Sequence, residues 1–190
     1  MFKLLFIILT FFSAVVAQQF TAGIKLTGLS IHPRGATNVS LMKYKLDDDG
    51  VFVFDPGTIL SFEKFLYRNI FSIKIAQGLY ADCARQFAGM SHIGLRGRIF
   101  QIEKHSFNGG IGPTFFFRKN WQKLNGYVND DYSIFKGSPE DNWQWAFLWY
   151  GGEFEYNYKI NDFIELSMSI VPYIPPYVPI IMSFGLRMLI

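Results

Sequence analysis

The chain is poor in cysteine: Cys83 is its one thiol, which excludes an internal disulfide framework and a cysteine-rich zinc site. It is also poor in charge. Asp, Glu, Lys and Arg make up 17% of 190 residues, below the quarter usual for a soluble domain, and the net charge is only +3. Such a balance leaves no clustered basic face, so no nucleic-acid partner is expected. After the N-terminal segment, no apolar run reaches the roughly 20 residues needed for a membrane helix. The three histidines (32, 92 and 105) are scattered and have no metal spacing. No cofactor is expected. What the chain has in abundance is hydrophobic and aromatic surface: half of it is hydrophobic and 18% aromatic, with 21 Phe, 10 Tyr and 4 Trp. That content excludes disorder.

Residues 1–17 (MFKLLFIILTFFSAVVA) have a basic start, an apolar run from Leu4 to Phe12, and small residues before Gln18. This pattern predicts a secretory signal peptide cleaved after Ala17, with 18–190 forming a single domain. An exported chain this apolar, without a helix to cross a bilayer, meets a membrane only as a closed β-barrel, the other structure that satisfies every backbone group in hydrocarbon.

The remaining sequence alternates with a period of two. Phe71, Ile73, Ile75 and Leu79 alternate with Ser72, Lys74, Ala76 and Gly78; Ile164, Leu166, Met168 and Ile170 alternate with Glu165, Ser167 and Ser169. Phe184, Leu186 and Met188 oppose Ser183, Gly185 and Arg187. This is strand periodicity. Residues 143–160 change phase at Gly151-Gly152, which predicts one long strand with a bulge at the glycine pair. Eight strands follow, at 20–32, 58–67, 70–80, 91–102, 105–118, 143–160, 163–171 and 179–190. Tight turns at Arg68-Asn69, Glu103-Lys104 and Asn161-Asp162 alternate with long loops at 33–57, 81–90, 119–142 and 172–178. An even strand count with short turns at one end and long loops at the other is the layout of an all-β, eight-stranded antiparallel transmembrane barrel, its short turns periplasmic and its loops extracellular.

The polar face is rich in small residues and carries charges of both signs: Lys74, Arg96, Arg98, Arg118 and Arg187 against Glu153, Glu155 and Glu165. In a barrel this narrow these are expected to form an interior ion-pair network, with the apolar face on lipid. A soluble lipocalin-like barrel would reverse the two faces. Trp143, Trp145, Trp149, Tyr150, Tyr156 and Tyr158 are candidates for the interfacial aromatic girdles.

Signal peptide, eight alternating strands, two-residue turns and a last strand ending MSFGLRMLI resemble the small eight-stranded outer-membrane barrels of Gram-negative bacteria. That group includes the outer-membrane protein X type, the outer-membrane protein A membrane domain and the lipid A deacylases. The resemblance implies a cell-envelope protein that contacts outer-membrane lipid and lipopolysaccharide, and whose last strand is read by the barrel-insertion machinery. Members of the group usually end in Phe or Trp, whereas this chain ends in Ile190. Lipid A deacylases carry a His and a Ser two positions apart on the outer face. Here His105 and Ser106 are adjacent, so a strand sends them to opposite faces, which argues against acyl-ester hydrolysis. Asp47-Asp48-Asp49-Gly50 lacks the alternating ligands of a calcium loop and, between Tyr44-Lys45-Leu46 and Val51-Phe52-Val53-Phe54, reads as a hairpin turn. The hairpin is expected to extend the sheet beyond the membrane. The longest loop holds Trp121, Tyr127 and Tyr132, the candidates for contact with an extracellular ligand.

Overall fold

The computed structural model describes residues 20–32, 37–129, 133–171 and 180–190. The signal peptide, Tyr132 and the last long loop lie outside these residues. The described residues contain β1 (Phe20–Ile31), β2 (Phe52–Tyr67), β3 (Phe71–Ala81), β4 (Phe87–Ile102), β5 (His105–Lys119), β6 (Trp143–Lys159), β7 (Ile164–Val171) and β8 (Ile180–Leu189). Each strand pairs antiparallel with its neighbours in sequence, and β8 pairs with β1 to close the barrel. Closure leaves no edge at that junction, where the Phe20 and Ile190 backbones exchange hydrogen bonds of 3.2 and 2.8 Å.

Two strands begin earlier than the alternation indicates. β2 starts at Phe52 because Pro56 falls where its missing N–H does no harm. On the β1 side it lies in the register shift between Thr27↔Gly57 and Leu29↔Phe54, and on the β3 side pairing begins only at Gly57. β4 starts at Phe87, so the expected loop 81–90 contracts to 82–86. Asp82 makes that tight connection, its Oδ1 accepting from the N–H groups of Ala84 (3.0 Å) and Gln86 (2.7 Å).

The bulge in β6 also moves slightly. Gly112 pairs with Gly151 but Thr114 pairs with Leu148, so the extra residue lies at Trp149-Tyr150, opposite Pro113 and just before the glycine pair. A Cβ on Gly151 would overlap Thr114 Oγ1, which explains why glycine follows the kink. Trp149 and Tyr150 are thereby placed midway along β6, not at a rim as the girdle reading expected.

The Asp47–Gly50 turn does form a hairpin. Asp47 uses its carboxylate internally, accepting from Val51 N (3.2 Å) and Phe52 N (2.8 Å). The hairpin is short, with one bridge between Lys45 and Val53. Its outer arm leans over the barrel instead of standing as a free ribbon, since Tyr44 N donates to Cys83 O (2.9 Å).

The barrel is inverted relative to a soluble one. Leu26, Leu60, Ile75, Ile93, Leu95 and Ile111 are more than half exposed, while Lys25, Glu63, Lys74, Arg96 and Arg187 are each less than 5% exposed. Leaving so much apolar surface in water is unfavourable by about 25 cal/mol per Å², so lipid is the solvent this surface fits.

Candidate functional site

Three layers fill the barrel. The first, toward the short-turn end, is a charged network. Glu155, 1% exposed, is its centre: it is paired with Lys25, with Lys74 (2.7 Å), with Arg96, and at longer range with Arg187 (3.8 Å). Glu63 takes Arg96 (2.7 Å) and Arg187 (2.9 Å), and also accepts from Ser72. Glu153 takes Lys74 (2.7 Å) and Lys25 (3.5 Å); Glu165 takes Arg187 (3.2 Å). Four cations thus face four carboxylates, drawn from β1, β2, β3, β4, β6, β7 and β8. Charge balance lets ions persist away from water, where an unpaired one is very costly.

The structure brings Lys74, Arg96, Arg187, Glu153, Glu155 and Glu165 together, and adds Lys25 and Glu63, which alternation did not flag. It leaves out Arg98 and Arg118. Arg98 turns toward the short-turn rim and donates to Gln101 Oε1. Arg118, six positions beyond Gly112 on β5, reaches the opposite mouth. There its guanidinium lies 4.2 Å from the Trp121 ring centre and 4.0 Å from that of Phe135, and its Nε donates to Gln144 (3.0 Å). Distance along the strand, not face, separates these two arginines from the acids.

The second layer is apolar: Ile59, Ala76, Met90, Phe116, Ala146, Val171 and Ile181 pack across the lumen. A cavity of about 20 Å³, bounded by Ile59, Met90, His92, Thr114 and Glu153, separates it from the charges. His92 Nδ1 is 2.7 Å from Thr114 Oγ1 on its wall. Among the described residues, apolar side chains lie across the lumen with the ion pairs below them.

The third layer caps the mouth. Met42, Val53, Cys83, Ala84 and Trp121 form a second apolar cluster, with Leu124 and Tyr127 against it. Trp121 Nε1 donates to Asp82 Oδ2 (2.7 Å), tying the longest loop to the β3–β4 turn. Asn38 exchanges hydrogen bonds with the Val128 backbone (2.9 and 2.8 Å), tying the same loop to the first. Trp121 and Tyr127 are therefore components of the cap: Trp121 is 4% exposed and offers little surface to a ligand. Burial raises the Asp82 carboxyl above its ordinary range, opposed by the Trp121 bond. Burial, reinforced by Asp55 and Asp82, pushes the Cys83 thiol up, which keeps it an inert thiol. Burial and then the Arg118 charge depress His32 to about 4.

His105 and Ser106 are separated by the wall. His105 is exposed on the outer face, its Nδ1 2.6 Å from Tyr156 Oη, and Ser106 is buried inside. No nucleophile–base contact exists between them.

The outer face has an aromatic cluster at each end. Phe87, Phe117 and Trp143 meet at 6.0–6.2 Å near the long loops, with Lys119 4.1 Å above Trp143. At the short-turn end, Phe107 stacks between Phe100 (5.5 Å) and Phe154 (5.9 Å), beside Tyr156 and Tyr158. No protein-family model and no curated protein matches the chain. Among solved structures it is similar to Ail, the attachment invasion locus protein of Yersinia pestis, with a TM-score of 0.51 over 91% of this chain and 97% of that one. The fold is that of the small eight-stranded outer-membrane barrels. Sequence identity to Ail is 10%, so the likeness carries the architecture and not the chemistry. Ail in complex with the heparin analogue sucrose octasulfate gives a TM-score of 0.47 at 11% identity, over the same shares of both chains. As an outer-membrane barrel fold, the chain has its ion pairs inside, its aliphatic residues outside and its aromatic clusters at the two ends, as such a wall requires.

Proposed function

We propose that this protein is an exported integral barrel of a Gram-negative outer membrane, with its short turns in the periplasm. Its role is structural and interactive, exercised through the capped extracellular loops, and it carries out no hydrolysis. The carrying observation is the inverted burial: a balanced four-to-four charge network inside, and aliphatic side chains outside. The apolar middle layer argues against a diffusion channel. The separation of His105 from Ser106 argues against an acyl-ester hydrolase, the second reading.

The cap supports an interactive role because it is ordered by its own bonds, with Trp121, Asp82, Asn38 and Val128 fixing two loops against each other. A pre-organised loop surface loses little entropy on binding. In this reading the cap is the face offered to an extracellular ligand, while the wall faces lipid and lipopolysaccharide. Phe184, Leu186 and Met188 project outward from β8 and supply the apolar signal for the insertion machinery despite the terminal Ile190. The test is fractionation with heat-dependent gel mobility. The protein should require detergent and shift on boiling; a soluble monomer without detergent would refute the membrane reading. Mass spectrometry of lipid A from cells with and without the protein should show identical acylation, and loss of an acyl chain would refute the non-enzymatic reading.

A further inference from the structure

His105 has no catalytic neighbour, yet it is not an isolated surface histidine. It sits on the outer face of β5 at the short-turn end, its ring centre 5.9 Å from that of Tyr156 and 5.1 Å from that of Tyr158. The Tyr156 hydroxyl lies 2.6 Å from Nδ1. When that hydroxyl donates to Nδ1, the neutral imidazole carries its proton on Nε2, leaving an N–H donor for an outside partner. Lys104 directly precedes His105 in the turn and is exposed. Lys159 is its backbone neighbour, donating N–H to Lys104 O (2.8 Å).

The surface above this point is equally specific. On the same outer face, Phe107 is stacked between Phe100 and Phe154, with interplanar angles of 18° and 7°. Phe100 and Phe154 are each nearly half exposed. A donor cluster beneath three stacked rings matches a molecule with an anionic head and apolar tails, not a free anion.

Charge points the same way. Around the short-turn rim the exposed or half-buried basic side chains are Lys64, Arg68, Arg98, Lys104 and Lys159. The acidic ones are Glu103 and Asp162, and Asp162 is already held by Lys159 (2.8 Å). Lys64 and Arg68 lie over the rings of Phe20 (5.6 Å) and Tyr67 (5.3 Å), so the excess positive charge is held at the height of the aromatic residues. At the mouth, by contrast, the described loop charges include Asp47, Asp48, Asp49, Glu140 and Asp141, which offset the lysines there.

We propose that Lys104, His105, Tyr156 and Tyr158 form a headgroup site for an anionic phospholipid of the periplasmic leaflet, with Phe100, Phe107 and Phe154 as the platform for its acyl chains. The lysine supplies a point charge and the His105 Nε2–H a directed hydrogen bond to a phosphate oxygen. The lipid is a phosphatidylglycerol-type diacyl phospholipid, because the lipid A phosphates lie at the other rim. This inference rests on the membrane reading above and fixes the partner of one face of it.

The experiment is native mass spectrometry of the detergent-purified full-length protein, titrated in parallel with phosphatidylglycerol, phosphatidylcholine, lipid A and inorganic phosphate. Wild type should retain one phosphatidylglycerol per barrel with a preference over phosphatidylcholine on the order of tenfold, the value of a charge-assisted contact. His105→Phe keeps an aromatic ring and should abolish that preference, and Lys104→Gln should reduce it severalfold. Lys119→Gln with Lys136→Gln, at the opposite rim, should leave it unchanged. Heat-dependent gel mobility verifies that each variant is folded. If His105→Phe does not fold, Lys104→Gln on the exposed turn decides the matter. Unchanged preference in both rim variants overturns the site. Phosphate binding equal to that of the lipid overturns the role of the platform, and His105-dependent lipid A binding of equal strength overturns the assignment to the periplasmic leaflet. A protein that stays soluble without detergent refutes the membrane reading itself, before any lipid is added.

Discussion

Replacing Glu155 with Gln should damage this barrel more than any other single change to its charges. The substitution keeps the volume and removes the charge from a side chain that is 1% exposed and paired with Lys25, Lys74, Arg96 and Arg187. The interior then holds four cations against three carboxylates, with each cation less than 5% exposed. Breaking a buried ion pair from one side costs about 3–5 kcal/mol. Since natural domains are stable by roughly 5–15 kcal/mol, that loss is a large share of the whole. Glu165→Gln provides the scale: it has one partner, Arg187 at 3.2 Å, and a side chain 12% exposed. Its loss should be smaller, roughly 1–3 kcal/mol. The assay is urea unfolding of the protein reconstituted in lipid vesicles, read by tryptophan fluorescence and by gel mobility. The double variant Glu155→Gln with Lys25→Met restores a three-to-three balance, so it should recover part of the deficit. The reasoning fails if Glu155→Gln costs no more than Glu165→Gln. It also fails if the double variant is no more stable than Glu155→Gln alone.

Three other outcomes are expected. Trp121→Phe removes the 2.7 Å bond to Asp82 while keeping a ring in the cap; it should cost about 1–3 kcal/mol and hasten cleavage of residues 120–142 by protease added to intact cells. His32 is depressed from 6.5 to about 4 on folding, so the unfolded chain binds the proton more readily and the cap loses stability as pH falls through that interval. His32→Gln should remove that component of the acid sensitivity, as read from unfolding midpoints between pH 7 and 4. Gly185→Ala should prevent formation of the heat-stable form, because a Cβ there would overlap the carbonyl oxygen of Ile24 across the β8–β1 junction.

Much of this architecture can be read from the sequence because one solvent inversion governs it. Where a strand has a lipid face and a polar lumen face, as in Phe71–Leu79 or Ile164–Ile170, alternation identifies strand and face together. It fails where the lumen itself is apolar. β2 places Ile59 and Phe65 inside and Leu60, Phe62 and Leu66 outside, so both faces look hydrophobic and Glu63 is not singled out. Lys25 is a different case: Thr21 and Thr27 share its lumen face while Ile24 and Leu26 face outward, so β1 carries the same alternation and the charge was within its reach. Arg118 and Arg98 show the complementary limit: alternation reports a side chain's face but not its height along the barrel, and height decides which charges meet. The cap was legible only as a run of aromatic residues. That Trp121 would be spent on Asp82 depends on a contact across 39 positions, which no local pattern encodes.

The pairing of β1 with β8 has a further consequence for how the chain reaches this state. Thr21 lies opposite Leu189, and Ala22 opposite Met188, so the joining contacts span almost the entire polypeptide. No subset of strands can close the wall. Folding should therefore be all-or-none and slow, as for other topologies dominated by distant contacts. The same adjacency makes the order of the strands around the ring independent of where the polypeptide is cut. A circular permutant joining Ile190 to Phe20 through a short linker and opened at Asp48 would keep every neighbouring pair, exchanging one covalent connection for another.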